Sequence, residues 1–191
     1  MLVAVVLAAV LAANPMGAAD EPSPVPTVGP VDCSVIPIAE AHVILGYEVQ
    51  PPDELSRTGG ICFYPSRDVT QDGSVSFAVV TADWLPQRRA FFRAYARRCA
   101  PAVKGTLNEI ACRQLLKLAV VQTMDDYYAA RSSAGDASPV PGLGESAVES
   151  GNALYVHRGQ TVFEISVLRG SDFDLERSTK LARELLRAFP K

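Results

Sequence analysis

The chain has only two histidines, His42 and His157, and no two of its four cysteines stand in a Cys-x-x-Cys spacing. A zinc site of the usual Cys/His kind is therefore not expected, and a catalytic centre built on several imidazoles has too few to draw on. Neither a metal nor any other cofactor is implied. Charge of one sign is also scarce: 18 Lys and Arg stand against 21 Asp and Glu, for a net charge of −3. Without a long one-sign block, the chain does not read as a nucleic-acid binder. Long apolar runs are missing too. The run from Leu2 to Ala13 falls short of the roughly 20 residues that cross a bilayer as a helix.

That short run is informative in its own right. It is uncharged, and Asn14-Pro15 and the small residues Gly17-Ala18-Ala19 follow it, which is the shape of a signal peptide over residues 1–19 with cleavage near Ala19. A positive segment before the apolar run is lacking, and a buried N-terminal helix is the alternative. No cysteine follows the run directly, and "GPVD" precedes Cys33 in place of a lipoprotein box. The mature form is thus expected to be exported, to the periplasm, cell surface or medium, with no acyl anchor and no transmembrane span. Residues 20–31 carry Pro22, Pro24, Pro26 and Pro30 and read as an extended tether. The remainder, 32–191, suits one domain that buries about two thirds of its unfolded surface. Cys33, Cys62, Cys99 and Cys112 all lie in it. An even count in an exported domain points to two disulfides. Three connectivities are open, and Cys33 with Cys62 plus Cys99 with Cys112 is expected because each pair joins neighbouring elements.

Periodicity places the elements. Pro37 and Gly46 bracket a short helix, with Ile38 and Leu45 on one face and His42 between them. "GGICFYP" and "SVSFAVVTA" read as an antiparallel strand pair, the second alternating Val75, Phe77 and Val79 against Ser76, Ala78 and Val80. Asp83 offers an N-cap to "WLPQRRAFFRAYARRCA", where Arg89, Arg93 and Arg97 line the face opposite Leu85, Phe91, Phe92 and Tyr95. Arg88 falls inside the aromatic arc, either in a frayed first turn or paired with a carboxylate. From Arg88 to Lys117 there are eight basic residues against the single acid Glu109, a polarised field. Residues 106–122 repeat Leu107, Ile110, Leu115, Leu118 and Val121 at helical spacing, although "KLAVVQTM" also suits a strand.

"PVPGLGESAV" carries Gly142, Gly144 and Ala147 in the spacing of a dinucleotide fingerprint. That fingerprint needs a strand before it and a helix after it, and here a turn-rich stretch precedes and a hairpin follows. A structural turn is the expected reading. In the hairpin, a two-residue Gly159-Gln160 turn sets Val156 opposite Phe163 and Leu154 opposite Ile165 on one face, with Tyr155 opposite Glu164 and His157 opposite Val162 on the other. His157 is then an exposed or half-covered strand residue near Glu164. A final helix puts Leu175, Leu181, Ala182, Leu185, Leu186 and Phe189 on one face to cover the sheet.

The order of "DCSVIPIAEAHVILG", "GGICFYP", "PVPGLGESAV" and "LYVHRGQTVFEISV" resembles small exported bacterial domains of unknown function, often lipoproteins. In these a Cys-led helix pairs with a later Cys followed by an aromatic, and a Gly-Leu-Gly turn precedes a hairpin. Glu145 replaces the Asp common in that turn, and Cys99 and Cys112 are additions. The resemblance implies an α+β envelope domain with an antiparallel sheet, helices packed on it, and no catalytic motif to carry over. The expected function is a non-enzymatic module that binds an envelope ligand or partner, an anionic surface being one candidate through Arg88, Arg89, Arg93 and Arg97, with His157 and Glu164 as further binding candidates. The alternatives are a small enzyme using Glu145, Glu149 or Glu164, or an inhibitor or structural partner presenting the basic helix.

Overall fold

Alternation of apolar side chains on two long strands sets the centre of the structure. The computed structural model describes residues 32–52, 60–67, 73–97, 107–133 and 137–189. The expected leader, the tether up to residue 31 and Cys99 lie outside them. Strands β2 (Gly73–Thr81) and β6 (Thr161–Arg169) pair antiparallel from Gly73 opposite Arg169 to Thr81 opposite Thr161. Val75, Phe77, Phe163, Ile165 and Val167 turn to one face, while Val80 and Val162 turn to the other. Both faces are apolar at this centre, so both need a cover.

Strands β1 (Cys62–Pro65), β3 (Ser138–Pro139), β4 (Ser146–Ser150), β5 (Ala153–Arg158) and β7 (Asp172–Phe173) complete an antiparallel sheet in the order β1-β2-β6-β5-β4-β3, with β7 also on β6. The β5–β6 hairpin has the register read from the sequence, Tyr155 opposite Glu164 and Val156 opposite Phe163. Its turn starts at Gly159, at φ +57°. Helices α1 (Ile38–Leu45) and α5 (Leu175–Ala188) cover one face. Helices α2 (Leu85–Arg97), α3 (Leu107–Leu118) and α4 (Met124–Ser132) are grouped over the other. The α+β class holds, and the helices form two layers around the sheet.

Several boundaries differ from the sequence reading. Helix α1 buries Ala41, Ile44 and Leu45 and leaves Ile38 and His42 exposed, because the stripe facing β2 and α5 follows the i, i+3, i+4 rows. Asp83 sits inside a 3-10 turn, Ala82–Trp84, that precedes α2, and is not its N-cap. Helix α3 stops at Leu118, and neither its continuation to 122 nor the alternative strand forms. Side chains take the peptide groups that follow. Arg93 Nε donates to Ala119 O at 3.0 Å and Arg89 Nη1 to Val121 O at 3.3 Å, while Asp126 accepts from Gln122 N and Thr123 N. Arginine recurs in this role elsewhere: Arg177 donates to Ile44 O at the end of α1, and Arg158 to Leu186 O near the end of α5. A cation at a helix C-terminus also opposes the negative end of the helix dipole.

Cys33 is bonded to Cys62, tying the segment before α1 to strand β1. Cys112 is also disulfide-bonded, and no cysteine is free among the described residues. Beside the first bridge the buried Tyr64 hydroxyl lies 2.7 Å from both Cys33 O and Ile36 O. Burial, and then the charge of Asp32, push it up to about 12, so it remains a donor at any physiological pH.

The Gly142-Leu143-Gly144-Glu145 segment is a turn, as expected, with Gly142 at φ +78° and Gly144 at φ +56°. Leu143 is buried in the core, Glu145 N donates to His157 O, and the Glu145 carboxylate accepts from Gly159 N at 3.1 Å. The turn is thus buttoned to the β5–β6 hairpin. A Cβ on Gly144 would stand 2.5 Å from His157 O. Gly144→Ala is therefore expected to lower stability by about 1–3 kcal/mol, from a disfavoured backbone conformation added to a backbone clash. Urea unfolding measures this, and an unchanged midpoint would contradict the close approach.

Candidate functional site

The candidate residues on the second face meet helix α4, which the sequence reading missed. Thr123 caps this helix: its hydroxyl accepts from Asp126 N, and the Asp126 carboxylate accepts from Thr123 N. That reciprocal arrangement is a capping box with Asp in the third position. Only Met124 and Tyr127 are fully buried on α4, so its apolar stripe is narrow and its periodic signal weak. The Thr-x-x-Asp spacing was the available sign.

Tyr127 and Arg131, one turn apart on α4, both reach Glu164 on the central strand β6. Arg131 grips the carboxylate as a fork, Nε to Oε1 at 2.6 Å and Nη2 to Oε2 at 2.7 Å. The Tyr127 hydroxyl donates to Oε1 at 2.6 Å. Arg88, 4% exposed on α2, brings its Nη2 to 3.7 Å from Oε2. The Arg131 guanidinium also lies 5.3 Å from the ring centroid of Tyr155, the cross-strand partner of Glu164. Arg88 is thus the carboxylate-paired residue that its place in the aromatic arc allowed.

Electrostatics keeps Glu164 ionised. Burial alone would raise its pKa, but the charge and hydrogen bonds of Arg131, the charge of Arg88 and the Tyr127 hydroxyl outweigh burial and hold it at about 2. The Tyr127 hydroxyl is pushed up, first by burial and then by the Glu164 charge, and stays a donor. A carboxylate so depressed holds no proton to give near neutral pH, and its lone pairs are directed at guanidinium and phenol donors.

His157 lies on the same sheet face with separate partners. It is buried, 9% exposed, and not the exposed or half-covered strand residue expected, because α4 lays Tyr128 against it with ring centroids 5.3 Å apart. Its Nε2 is 2.9 Å from Gly159 O and 3.5 Å from the exposed Asp125 carboxylate. Both neighbours are acceptors, so Nε2 carries the proton and acts as donor. The Tyr128 hydroxyl is shut from solvent and has no hydrogen-bond partner among the described residues. Leaving it unsatisfied costs roughly 1–3 kcal/mol. Tyr128→Phe is therefore expected to be neutral or stabilising in thermal unfolding, where a clear loss would show that the hydroxyl is engaged.

The structure thus brings Arg88, Glu164 and, beside them, His157 to one face, under α2 and α4. Arg89 and Arg93 are instead engaged at the end of α3, and the Arg97 side chain lies outside the described residues. Of the other carboxylates considered, Glu145 holds the Gly159 turn and Glu149 lies on β4 opposite Leu154. Two shallow depressions, of about 510 and about 420 Å³, flank α1 on the other side of the sheet, near Pro37, Ile38 and Val43. Among the described residues no group of three or more His, Cys, Asp or Glu could hold a metal, and no helix is long and apolar enough to cross a membrane.

Fold and cluster together define a disulfide-bonded α+β domain in which one buried carboxylate joins two guanidinium groups beneath a helical layer. Comparison with family models, with curated proteins and with solved structures gives no match to the chain.

Proposed function

We propose that the protein is an exported, non-enzymatic module of the cell envelope that works by binding a partner at its surface. The observation that carries this reading is the state of Glu164. A general acid or base needs a pKa near the working pH and room for a substrate proton. Glu164 is held ionised at about 2 and gripped by both Arg131 and Tyr127. Its chemistry is directed inward, joining α2 and α4 to β6. The work of the module then falls to exposed surface. Export is supported by the signal-like leader and by the Cys33–Cys62 bridge, because structural disulfides persist in oxidising compartments.

Cell fractionation with intact-mass measurement tests the reading. The mature protein is expected in the periplasmic or secreted fraction, to begin near Asp20, and to take up no thiol reagent before reduction. A cytoplasmic protein retaining Met1, with reactive thiols, would overturn it.

A further inference from the structure

Two of the most exposed large apolar side chains are one turn apart at a single tip. Leu116 is 54% and Val120 65% exposed, at i and i+4 on the last turn of α3 and the turn after it. Arg113 and Lys117, also exposed, interleave with them on the same helical face. Arg93 and Arg89 border the tip from α2 through their bonds to Ala119 O and Val121 O, and Arg89 Nη1 also reaches Gln122 Oε1 at 2.7 Å. A carbonyl has no charge, so these bonds position the guanidinium groups without neutralising them. Four cations thus surround two aliphatic side chains. Among the described side chains, the acids that follow the tip along the chain are Asp125 and Asp126 at the start of α4, and Asp126 is engaged in the capping box.

We propose that this tip is a docking surface for an anionic phospholipid membrane, with Leu116 and Val120 entering the headgroup boundary and Arg89, Arg93, Arg113 and Lys117 facing the lipid phosphates. It rests on the reading of the chain as a partner-binding envelope module and names the partner. Aliphatic side chains ringed by cations are the arrangement that binds at a membrane interface, where apolar insertion and attraction to anionic lipid add. A hydrophilic acidic polymer would match the cations but give Leu116 and Val120 nothing to enter. Helix α1 provides the contrast. Ile38 and Val43 are also exposed there, but beside Glu40 and the Arg67–Glu48 ion pair, with no excess of positive charge.

Co-sedimentation of the full chain with vesicles of phosphatidylcholine, with or without phosphatidylglycerol, tests the proposal. Binding is expected only with phosphatidylglycerol, and it is expected to fall at least about tenfold as the Debye length shortens from about 10 Å at 0.1 M salt to about 3 Å at 1 M. Leu116→Ser with Val120→Ser is expected to lower partitioning about tenfold, and Lys117→Glu about fivefold or more. Val43→Ser on the contrasting face is expected to leave it unchanged. All of these positions are exposed, and thermal unfolding of each variant verifies the fold. Absence of binding to phosphatidylglycerol vesicles, equal binding to both vesicle types, or an undiminished Leu116/Val120 double variant would overturn the proposal. Binding to polyglutamate without binding to vesicles would also overturn it while leaving a partner-binding module in place.

Discussion

Glu164→Gln is expected to destabilise the domain by about 3–5 kcal/mol at neutral pH, the usual cost of removing one member of a buried ion pair. The change keeps the shape of the side chain and removes the charge. Arg131 loses its bidentate partner, and Arg88, 4% exposed, is left in the helix–sheet layer beside a neutral amide. The pH dependence has a definite sign. Glu164 is lowered from its ordinary 4.5 to about 2, so its contribution is fully present above about pH 4.5 and is lost as pH falls towards 2. That contribution is on the order of 3 kcal/mol by linkage. The stability difference between wild type and Glu164→Gln is thus expected to narrow across this window. Urea unfolding at pH 7, 4 and 3 reads the effect. A constant difference over that range would mean that shape, and not charge, is what the substitution disturbs. Replacing Glu164, Arg88 and Arg131 together by apolar residues of similar volume is expected to recover much of the loss, since the uncompensated charge goes with them.

Loss of the Cys33–Cys62 bridge is expected to have the second large effect. The bridged residues are 29 positions apart, and a closed loop of that length stabilises by about 3–4 kcal/mol on the chain-entropy argument. Segment 33–36 is held from two directions: covalently at Cys33, and through the Tyr64 hydroxyl at Cys33 O and Ile36 O. Cutting the bridge by Cys33→Ser is therefore expected to loosen α1 first, while Tyr64 slows its release. Hydrogen exchange is expected to show faster opening in residues 38–45 than in β5 and β6. Uniform loss of protection across the sheet would mean that α1 is no separate unit, and an unchanged unfolding midpoint would remove the stabilising role.

The β5–β6 hairpin was legible to the residue because a strict period of two, a glycine-led turn and cross-strand aliphatic pairs agree on one register. Helix α5 was legible for the same kind of reason: Leu181, Ala182 and Leu185 share a face, and all three are buried. The second face of the sheet was not. Helix α4 buries two residues fully, so its stripe is weak, and its capping box carries Asp in place of the usual Glu or Gln, which leaves the Thr-x-x-Asp spacing as a faint sign. Strand β4 buries only Ala147 and Ser150, too few for a clear alternation. Without α4 there is no lid over Glu164 and His157, and both read as ordinary outward residues of a strand. Arg88 was the one local signal of the cluster, a cation inside an aromatic arc. Its carboxylate lies 76 positions further on, from residue 88 to 164, and only the tertiary fold names it. The arginine stripe likewise looked like a choice between solvent and a partner, whereas Arg89 and Arg93 first hold the chain where α3 ends.

The ionisation state of Glu164 is reported directly by its carboxyl ¹³C shift as pH is varied. A carboxylate signal that persists from pH 7 down to about pH 3 is the expected result, since Arg131, Arg88 and Tyr127 hold the group ionised at about 2. A titration centred between about pH 5 and 7, in the range that suits a general acid or base, would contradict it and make the cluster a candidate active site.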